Sequence, residues 1–429
     1  MAVANPPVAV ATSERRRFRV TRTRIYAVFF IFAAILFFMG GSGNSGVLTR
    51  LTFGAQLPGV ELFVSVQLWA FVVAALYVVA GGIGMTDFSP RLRNILYIIN
   101  GFLLIPTVII LASAGQSTNV TVMLEVSLRY ATPIVLGALA GIWSERSGVT
   151  NIAIEGMMLT GACFGFVAYT LLLRAGVVAE LGQPLGVLVS ILSGGMMAVL
   201  HAWLSITFKT DQIVSGTVIN ILALGITSFL RREVLISSEA GRGTLPTINI
   251  PILSDIPVLG DVFFSGKPIF YSMFILLIVT HVVLFHTRWG LRTRAVGENP
   301  KAADTLGVNV IRNRWINVII GGLIAGLAGA WFSLETTGSF DDGMTSGRGF
   351  ISLAAMIFGK WMPFGAFGGG LLFGFSDRLG ERFQLLGVPI PPQFMQMVPY
   401  IVTIVVLAGL VGRAVAPKAD GVPYDKEGK

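Results

Sequence analysis

Between Tyr130 and Gly161 the chain reads YATPIVLGALAGIWSERSGVTNIAIEGMMLTG, two apolar helical runs around an insert that carries Glu145, Arg146, Asn151 and Glu155. Polar and ionised groups at membrane depth are costly, and those that persist serve a function. Asn151 and Glu155 stand one helical turn apart at the start of the second run, where the positive end of a helix dipole favours a carboxylate. Gly148 permits a tight turn between the two runs. Glu125 and Arg129, four residues apart, share a helix face and can neutralise one another. Capping and bundle geometry are the minimal uses of these groups. A second constellation lies between Arg288 and Arg314, where Asn299 and Pro300 have the types of a helix cap and a first helical residue. The short helix they start ends near Gly307, and Ala302 and Ala303 leave it a low-profile surface that another protein can cover.

The elements that must position these residues follow from composition. Hydrophobic residues make up 54% of the chain and charged ones 12%, against about 25% charged in an average soluble domain. Such a chain cannot build a water-facing shell, and most of it belongs in lipid. Apolar runs recur at Ile25–Gly40, Leu62–Gly81, Ile95–Ala114, Met123–Trp143, Ile152–Leu173, Leu185–Ile206, Ile213–Leu230, Ile269–His286, Trp315–Leu334 and Phe394–Val411. Between Phe350 and Phe375, Lys360 and Pro363 divide the apolar sequence into a broken helix pair. The fold class expected is all-α, a polytopic transmembrane helical bundle of about 10–12 spans. Most of the 31 Lys and Arg residues fall in Arg15–Arg24, Arg288–Arg314, Arg413–Lys429 and short loops on the same side, which predicts that both termini are cytoplasmic.

The same reading divides the chain into a cytoplasmic basic arm at 1–24, a three-span region at 25–120, a main bundle at 121–413 and a polar, mobile cytoplasmic tail at 414–429. The basic segment before Ile25 is followed by no small-residue cleavage site, so the first span is expected to be retained. Residues 231–268, with PTINIPILSDIPVLGD, are too polar and broken for a span and predict an extracellular hairpin or lid. Gly137/Gly141, Gly161/Gly165, Gly322/Gly326, Gly365/Gly369 and Gly370/Gly374 are spaced four apart, which brings small residues to one helix face for close packing in lipid.

Several function classes are disfavoured. Cys163 is the single cysteine, which leaves no disulfide framework and no CxxC metal site. His201, His281 and His286 lack HExxH spacing, so no metal site is expected and helix packing is the better use for them. The net charge of +9 is scattered over loops at the ends of apolar helices, which does not fit nucleic-acid binding. No GxxxxGK[ST] loop occurs, so the chain is expected neither to hydrolyse ATP nor to hold a cofactor.

SERSGVTNIAIEGMML, RAVGENPKAADTLGVNV from Arg294 to Val310, and GFISLAAMIFGKWMPFGAFGGGLLFG from Gly349 to Gly374 resemble the permease subunits of binding-protein-dependent ABC importers. The resemblance is to the inner-membrane translocator family that serves branched-chain amino acids, simple sugars and nucleosides, closest to its nucleoside-type branch. It covers roughly Leu124 to Arg413. It implies a transport subunit of the prokaryotic plasma membrane that is not itself an enzyme. Its implied partners are an ABC ATPase that uses the ATP, a second permease subunit, an extracellular substrate-binding protein and a small-molecule solute. Carried over residue by residue, Gly297, Glu298, Asn299, Ala302, Ala303 and Gly307 form the ATPase-coupling loop. Glu145, Asn151 and Glu155 become a gate or polar lining of the substrate path. The alternative is an ion- or proton-coupled secondary transporter, which places acidic residues or broken helices at the midplane.

Overall fold

A computed structural model describes residues 22–54, 60–86, 89–236, 243–385, 397 and 414–426. In chain order its elements are α1 (Arg22–Ser42), β1 (Leu48–Phe53), β2 (Val60–Ser65), α2 (Val66–Met85), α3 (Pro90–Ala112), β3 (Ser117–Asn119), α4 (Val120–Glu145), α5 (Ile154–Arg174), α6 (Ala179–Ala202) and α7 (Gln212–Leu230). They continue with β4 (Ile248–Asn249), β5 (Ser265–Gly266), α8 (Pro268–His286), α9 (Arg288–Glu298), α10 (Pro300–Thr305), α11 (Val310–Ala330), α12 (Arg348–Phe358) and α13 (Pro363–Leu385). Among the described residues, nine helices are long and apolar enough to cross a membrane. The span expected at Phe394–Val411 lies outside the described residues, as does most of the expected arm at 1–24.

Helices dominate because a backbone in lipid must satisfy its own hydrogen bonds. Their starts are set by short polar side chains that accept from the free N–H groups of the first turn. Ser65 caps α2, Asn119 caps α4, Asp211 caps α7 and Asn309 caps α11. The apolar run expected to be helical from Leu62 changes character at Ser65: Val60–Ser65 is extended as β2, and the helix begins only behind the cap.

Contacts divide the chain into two compact units. The first, Met1–Thr49 with Val64–Gly115, holds α1, α2 and α3. Its interior is aromatic: Tyr77 meets Phe30 and Phe37 edge-on and donates its hydroxyl to the Asn100 carbonyl at 2.5 Å.

The second unit, Arg50–Phe63 with Gln116–Lys429, is built on α4, α5, α6 and α11. The glycine pairs explain its tightness. Gly161 of α5 lies so close to α11 that a Cβ there would stand 2.5 Å from the Gly326 carbonyl oxygen, and Gly194 of α6 faces Gly322 and Gly326 equally closely. Gly137 and Gly141 of α4 receive Ser352 and Met356 of α12, while Gly370 and Gly374 of α13 seat Val135 and Ala131 of α4. Helices α12 and α13 form the broken pair. The break is a turn at Gly359–Met362 in which Lys360 and Trp361 adopt left-handed backbone angles, φ 55° and 54°. In the 231–268 segment, β4 pairs antiparallel with β5, Ile248 opposite Gly266 and Asn249 opposite Ser265, so a small hairpin is present there.

Candidate functional site

Two polar constellations lie at opposite ends of the second unit. The first forms where α4 turns into α5. Gly148 adopts a left-handed φ of 84°, the conformation that commonly closes a helix. Its N–H bonds the Glu145 carbonyl at 2.9 Å, and the Val149 N–H bonds the Ser144 carbonyl at 3.2 Å. The buried Glu145 carboxylate accepts from Trp361 Nε1 at 2.6 Å, and Arg146 Nε donates to the Trp361 carbonyl at 3.1 Å. The end of α4 is thereby fastened to the α12–α13 turn. Asn151 precedes α5 rather than lying on it, and its amide donates back to Ser144 Oγ at 3.2 Å.

Glu155 faces elsewhere. Helix α12 starts without a side-chain cap of its own, and free N–H groups at a helix start attract a carboxylate. The Glu155 carboxylate fills that role from a neighbouring helix, accepting from Thr345 Oγ1 at 2.6 Å, Gly347 N–H at 2.8 Å and Gly349 N–H at 2.6 Å. Gly349 has to be glycine, since a Cβ would lie 2.5 Å from the Glu155 Cα. The spacing Glu145–Asn151–Glu155 therefore marks two joints: one holds the α4–α5 turn, and the other ties α5 to the broken helix.

The Arg288–Arg314 segment meets the first joint. Asn299 accepts from the Ala302 N–H at 3.1 Å and caps α10, and Gly307, at φ 81°, closes it. Gly297 of α9 packs on the Arg146 carbonyl, where a Cβ would collide. A buried network of Thr293, Asn313 and Asn317 joins α9 to α11. Ala303, expected to offer a methyl to a partner, instead points inward and is buried with Val296 and Val310. The outward surface of α10 carries Ala302 and Leu306, and Leu306 is 84% exposed. Among the described residues it is the most exposed of the large apolar side chains. Nothing in its spacing distinguishes it from an ordinary helix-end leucine.

The segment 414–426, expected to be mobile, is packed against this junction. Ala419 N–H bonds the Gly297 carbonyl at 2.9 Å, and Thr150 Oγ1 donates to Asp420 at 3.1 Å. Arg314, only 1% exposed, donates to the Ser147 carbonyl at 3.2 Å and the Val422 carbonyl at 2.9 Å. Lys209 pairs with Asp425. Burial pushes the Asp420 carboxyl up to about 6, against the pull of the Thr150 and Gly421 hydrogen bonds and the Arg314 charge, because desolvation disfavours the ionised form. Arg314 had counted only as one more basic residue, and no local signal reveals its burial. His201 is likewise a packing residue, bonded to Ser215 Oγ at 3.2 Å and to the Thr150 carbonyl at 3.0 Å.

At the other end of the unit is a cavity of about 330 Å³ lined by Arg129, Tyr130, Lys267, Phe270, Trp331, Glu335 and Arg378, among others. It lies beside a π-helical turn, Trp331–Thr337, that continues α11. Such turns often sit at functional sites. The Tyr130 and Trp331 rings meet edge-to-face with centroids 5.3 Å apart. The Arg378 guanidinium lies over Tyr130, an arrangement the negative face of the ring favours. Glu335 accepts from the first two amides of α8, Ile269 at 2.6 Å and Phe270 at 3.2 Å. Lys267 Nζ donates to the Glu335 carbonyl at 2.6 Å and to Thr244 Oγ1 at 2.9 Å. Burial lowers the Lys267 pKa, partly offset by Glu335. Arg129 pairs with Glu125 at 2.5 Å, as the spacing predicts. Sequence spacing marks only that pair. Tyr130, Lys267, Trp331, Glu335 and Arg378 come from four separate stretches of chain.

Curated relatives cover most of this chain. It is 44% identical to the guanosine ABC transporter permease NupQ of Bacillus subtilis, over 71% of this chain and 97% of that protein. It is 42% identical to the nucleoside ABC transporter permease NupC of Lactococcus lactis, over 70% and 95% respectively. It is 36% identical to a putative glucose ABC transporter permease of Haloferax volcanii, over 68% and 92%. No solved structure gives a match. Residues 123–407 match the family described as branched-chain amino acid transport system / permease component. With its nine apolar membrane-length helices, the chain belongs to this permease family and is a multi-pass protein of the prokaryotic plasma membrane.

Proposed function

We propose that the chain is the permease subunit of an ABC importer for nucleosides, driven by ATP hydrolysis on a separate ATPase and requiring no cofactor of its own. The observation that carries this reading is the α9–α10 segment. Its exposed tip presents Leu306, while Gly297 and the Thr293–Asn313–Asn317 network fasten it to the α4–α5 turn and to α11. A push on α10 is therefore delivered to the helices that line the bundle. The two nucleoside permeases it resembles support the solute class. In this reading α10 and both termini are cytoplasmic, α12 and α13 complete twelve crossings, and an external binding protein delivers solute to a pair of permeases. Glu298, Asn299, Ala302 and Gly307 belong to the ATPase-facing surface. Ala303 and Gly297 form its inner support. Glu145 and Asn151 hold the α4–α5 joint, and Glu155 holds the broken helix that gates the path.

Reconstitution of the chain with a partner ATPase and binding protein should give ATP-dependent uptake of radiolabelled guanosine, insensitive to a protonophore. The chain alone should hydrolyse no nucleotide. Protonophore-sensitive uptake by the chain alone would establish a secondary transporter instead.

A further inference from the structure

We infer that the corner where α8, α9 and the α12–α13 turn meet the end of α4 binds the phosphate headgroup of an anionic membrane lipid. Such a site needs only a membrane-spanning chain and is independent of the solute that the chain carries. Helix α8 is long and apolar enough to cross a membrane, and Ile275, Ile278 and Val282 on it are exposed. Their three- and four-residue spacing puts them on one helix face. An uncovered apolar face on a membrane-length helix lies against lipid tails. The same spacing carries this stripe from Val282 to Phe285 in the last turn of α8.

At Phe285 the surface changes from apolar to cationic. The Arg294 guanidinium carbon of α9 stands 5.0 Å from the centre of the Phe285 ring, and that of Arg146 stands 5.6 Å from it. The turn beside them carries Lys360, which is exposed, and it leads into the exposed ring of Phe364. The two guanidinium groups are engaged differently. Arg146 donates Nε to the Trp361 carbonyl and Nη2 to the Lys360 carbonyl at 3.3 Å. Arg294 has its Nε buried without a hydrogen-bond partner, and among the described residues no ion pair neutralises its charge. The ring face holds both cations, yet like charges brought together disfavour one another. Burial lowers the Arg146 pKa and the Arg294 charge lowers it further, with Glu298 offsetting only part. An anion held by both groups would remove that cost. A phosphodiester suits it, because its oxygens accept from a guanidinium fork. The position at the end of a lipid-facing stripe selects a lipid over a soluble anion: acyl chains lie along Ile275–Val282 while the headgroup reaches the arginines, as basic pockets between membrane helices hold anionic headgroups.

The test places the full chain in phosphatidylcholine nanodiscs that contain a small fraction of phosphatidylglycerol with a photoreactive group near its glycerol. Label should map to the end of α8 or to the segment carrying Phe364. Normalised to folded chain, Arg294→Gln should lower labelling about fivefold, the equivalent of about 1 kcal/mol for one basic residue at an anionic surface. Arg294→Lys, which keeps the charge, should stay within about twofold of the parent. Arg312→Gln, which removes an exposed arginine at the start of α11, should leave labelling unchanged. Label on other segments, equal labelling by a photoreactive phosphatidylcholine, or unchanged labelling of Arg294→Gln would overturn the inference. Suppression by inorganic phosphate in the buffer would show a free-anion site and overturn the lipid assignment. Loss of ATPase recovery by Arg294→Gln with lipid labelling intact would assign the two arginines to carboxylates of a partner protein instead.

Discussion

The two ends of the second unit are made of the same apolar helices, and they differ in how their polar groups are engaged. At the α4–α5 end, Glu145, Asn151, Arg314 and Asp420 bond to one another's neighbourhoods, to Trp361 and to backbone carbonyls, and the tail covers them. At the other end, Arg129, Lys267, Glu335 and Arg378 line a cavity with aromatic walls. Polar residues at membrane depth are therefore not in themselves a solute path. At the α4–α5 end the bonded groups close over one another, whereas at the other end Arg129, Lys267 and Glu335 are bonded too but border open space. The first end also holds α9 and α10, and the second holds the aromatic rings of Tyr130 and Trp331.

The largest expected effect tests whether the joint end is locked. Arg314→Leu leaves the Ser147 and Val422 carbonyls without their donor and Asp420 without its cation, a buried loss of about 3 kcal/mol or more. Arg378→Gln, half-buried at the cavity, takes the guanidinium from over Tyr130 and should cost less, about 1–2 kcal/mol. Thermal unfolding in detergent compares the two, and equal losses would erase the distinction between the ends.

A smaller but sharper effect separates the two faces of α10. Ala303→Arg drives a cation into the Val296–Val310 cluster and should destabilise by roughly 1–3 kcal/mol. Leu306 is exposed, so Leu306→Asp should change stability by about 0.5 kcal/mol or less. It should nevertheless reduce recovery of the ATPase with the permease. Affinity co-purification alongside unfolding temperature reads both. Intact ATPase recovery with Leu306→Asp would remove α10 from the coupling surface.

The tail supplies a pH test. The folded pKa of Asp420, about 6, lies above the roughly 3.9 of an unfolded aspartate, so the folded state binds its proton more tightly. Its contribution is complete below the unfolded value and is lost as pH rises through about 6. Hydrogen exchange in residues 414–426 should therefore speed up from about pH 5 to about pH 7 beyond its intrinsic rise. Asp420→Asn, which cannot ionise, should flatten that excess. An unchanged profile would show that the joint does not depend on this proton.

The smallest effect is at the rim. Lys209 and Asp425 pair at the surface. Lys209→Ala should therefore cost about 0.5 kcal/mol or less, and less still in high salt. A larger loss would mean that the tail is held from its edge and not through Arg314 and Asp420.

The sequence by itself determined what depends on local composition and period. Most of the apolar runs, the cap at Asn299, the glycine faces and the break at Lys360–Pro363 follow from rules acting within a few residues, although the run from Leu62 turns helical only behind Ser65. The Arg129–Glu125 pair and the α10 cap were legible for the same reason. Tertiary structure alone decided which face of α10 is buried, because Ala302 and Ala303 differ only in what α9 and α11 place beside them. It also decided that Glu145 and Glu155 belong to different joints, through partners at Trp361 and Gly347–Gly349 some two hundred residues away. The packed tail and the cavity depend on the same kind of long-range meeting. In each case the partner comes from a distant stretch of chain that only the fold brings near, and no local pattern encodes that meeting.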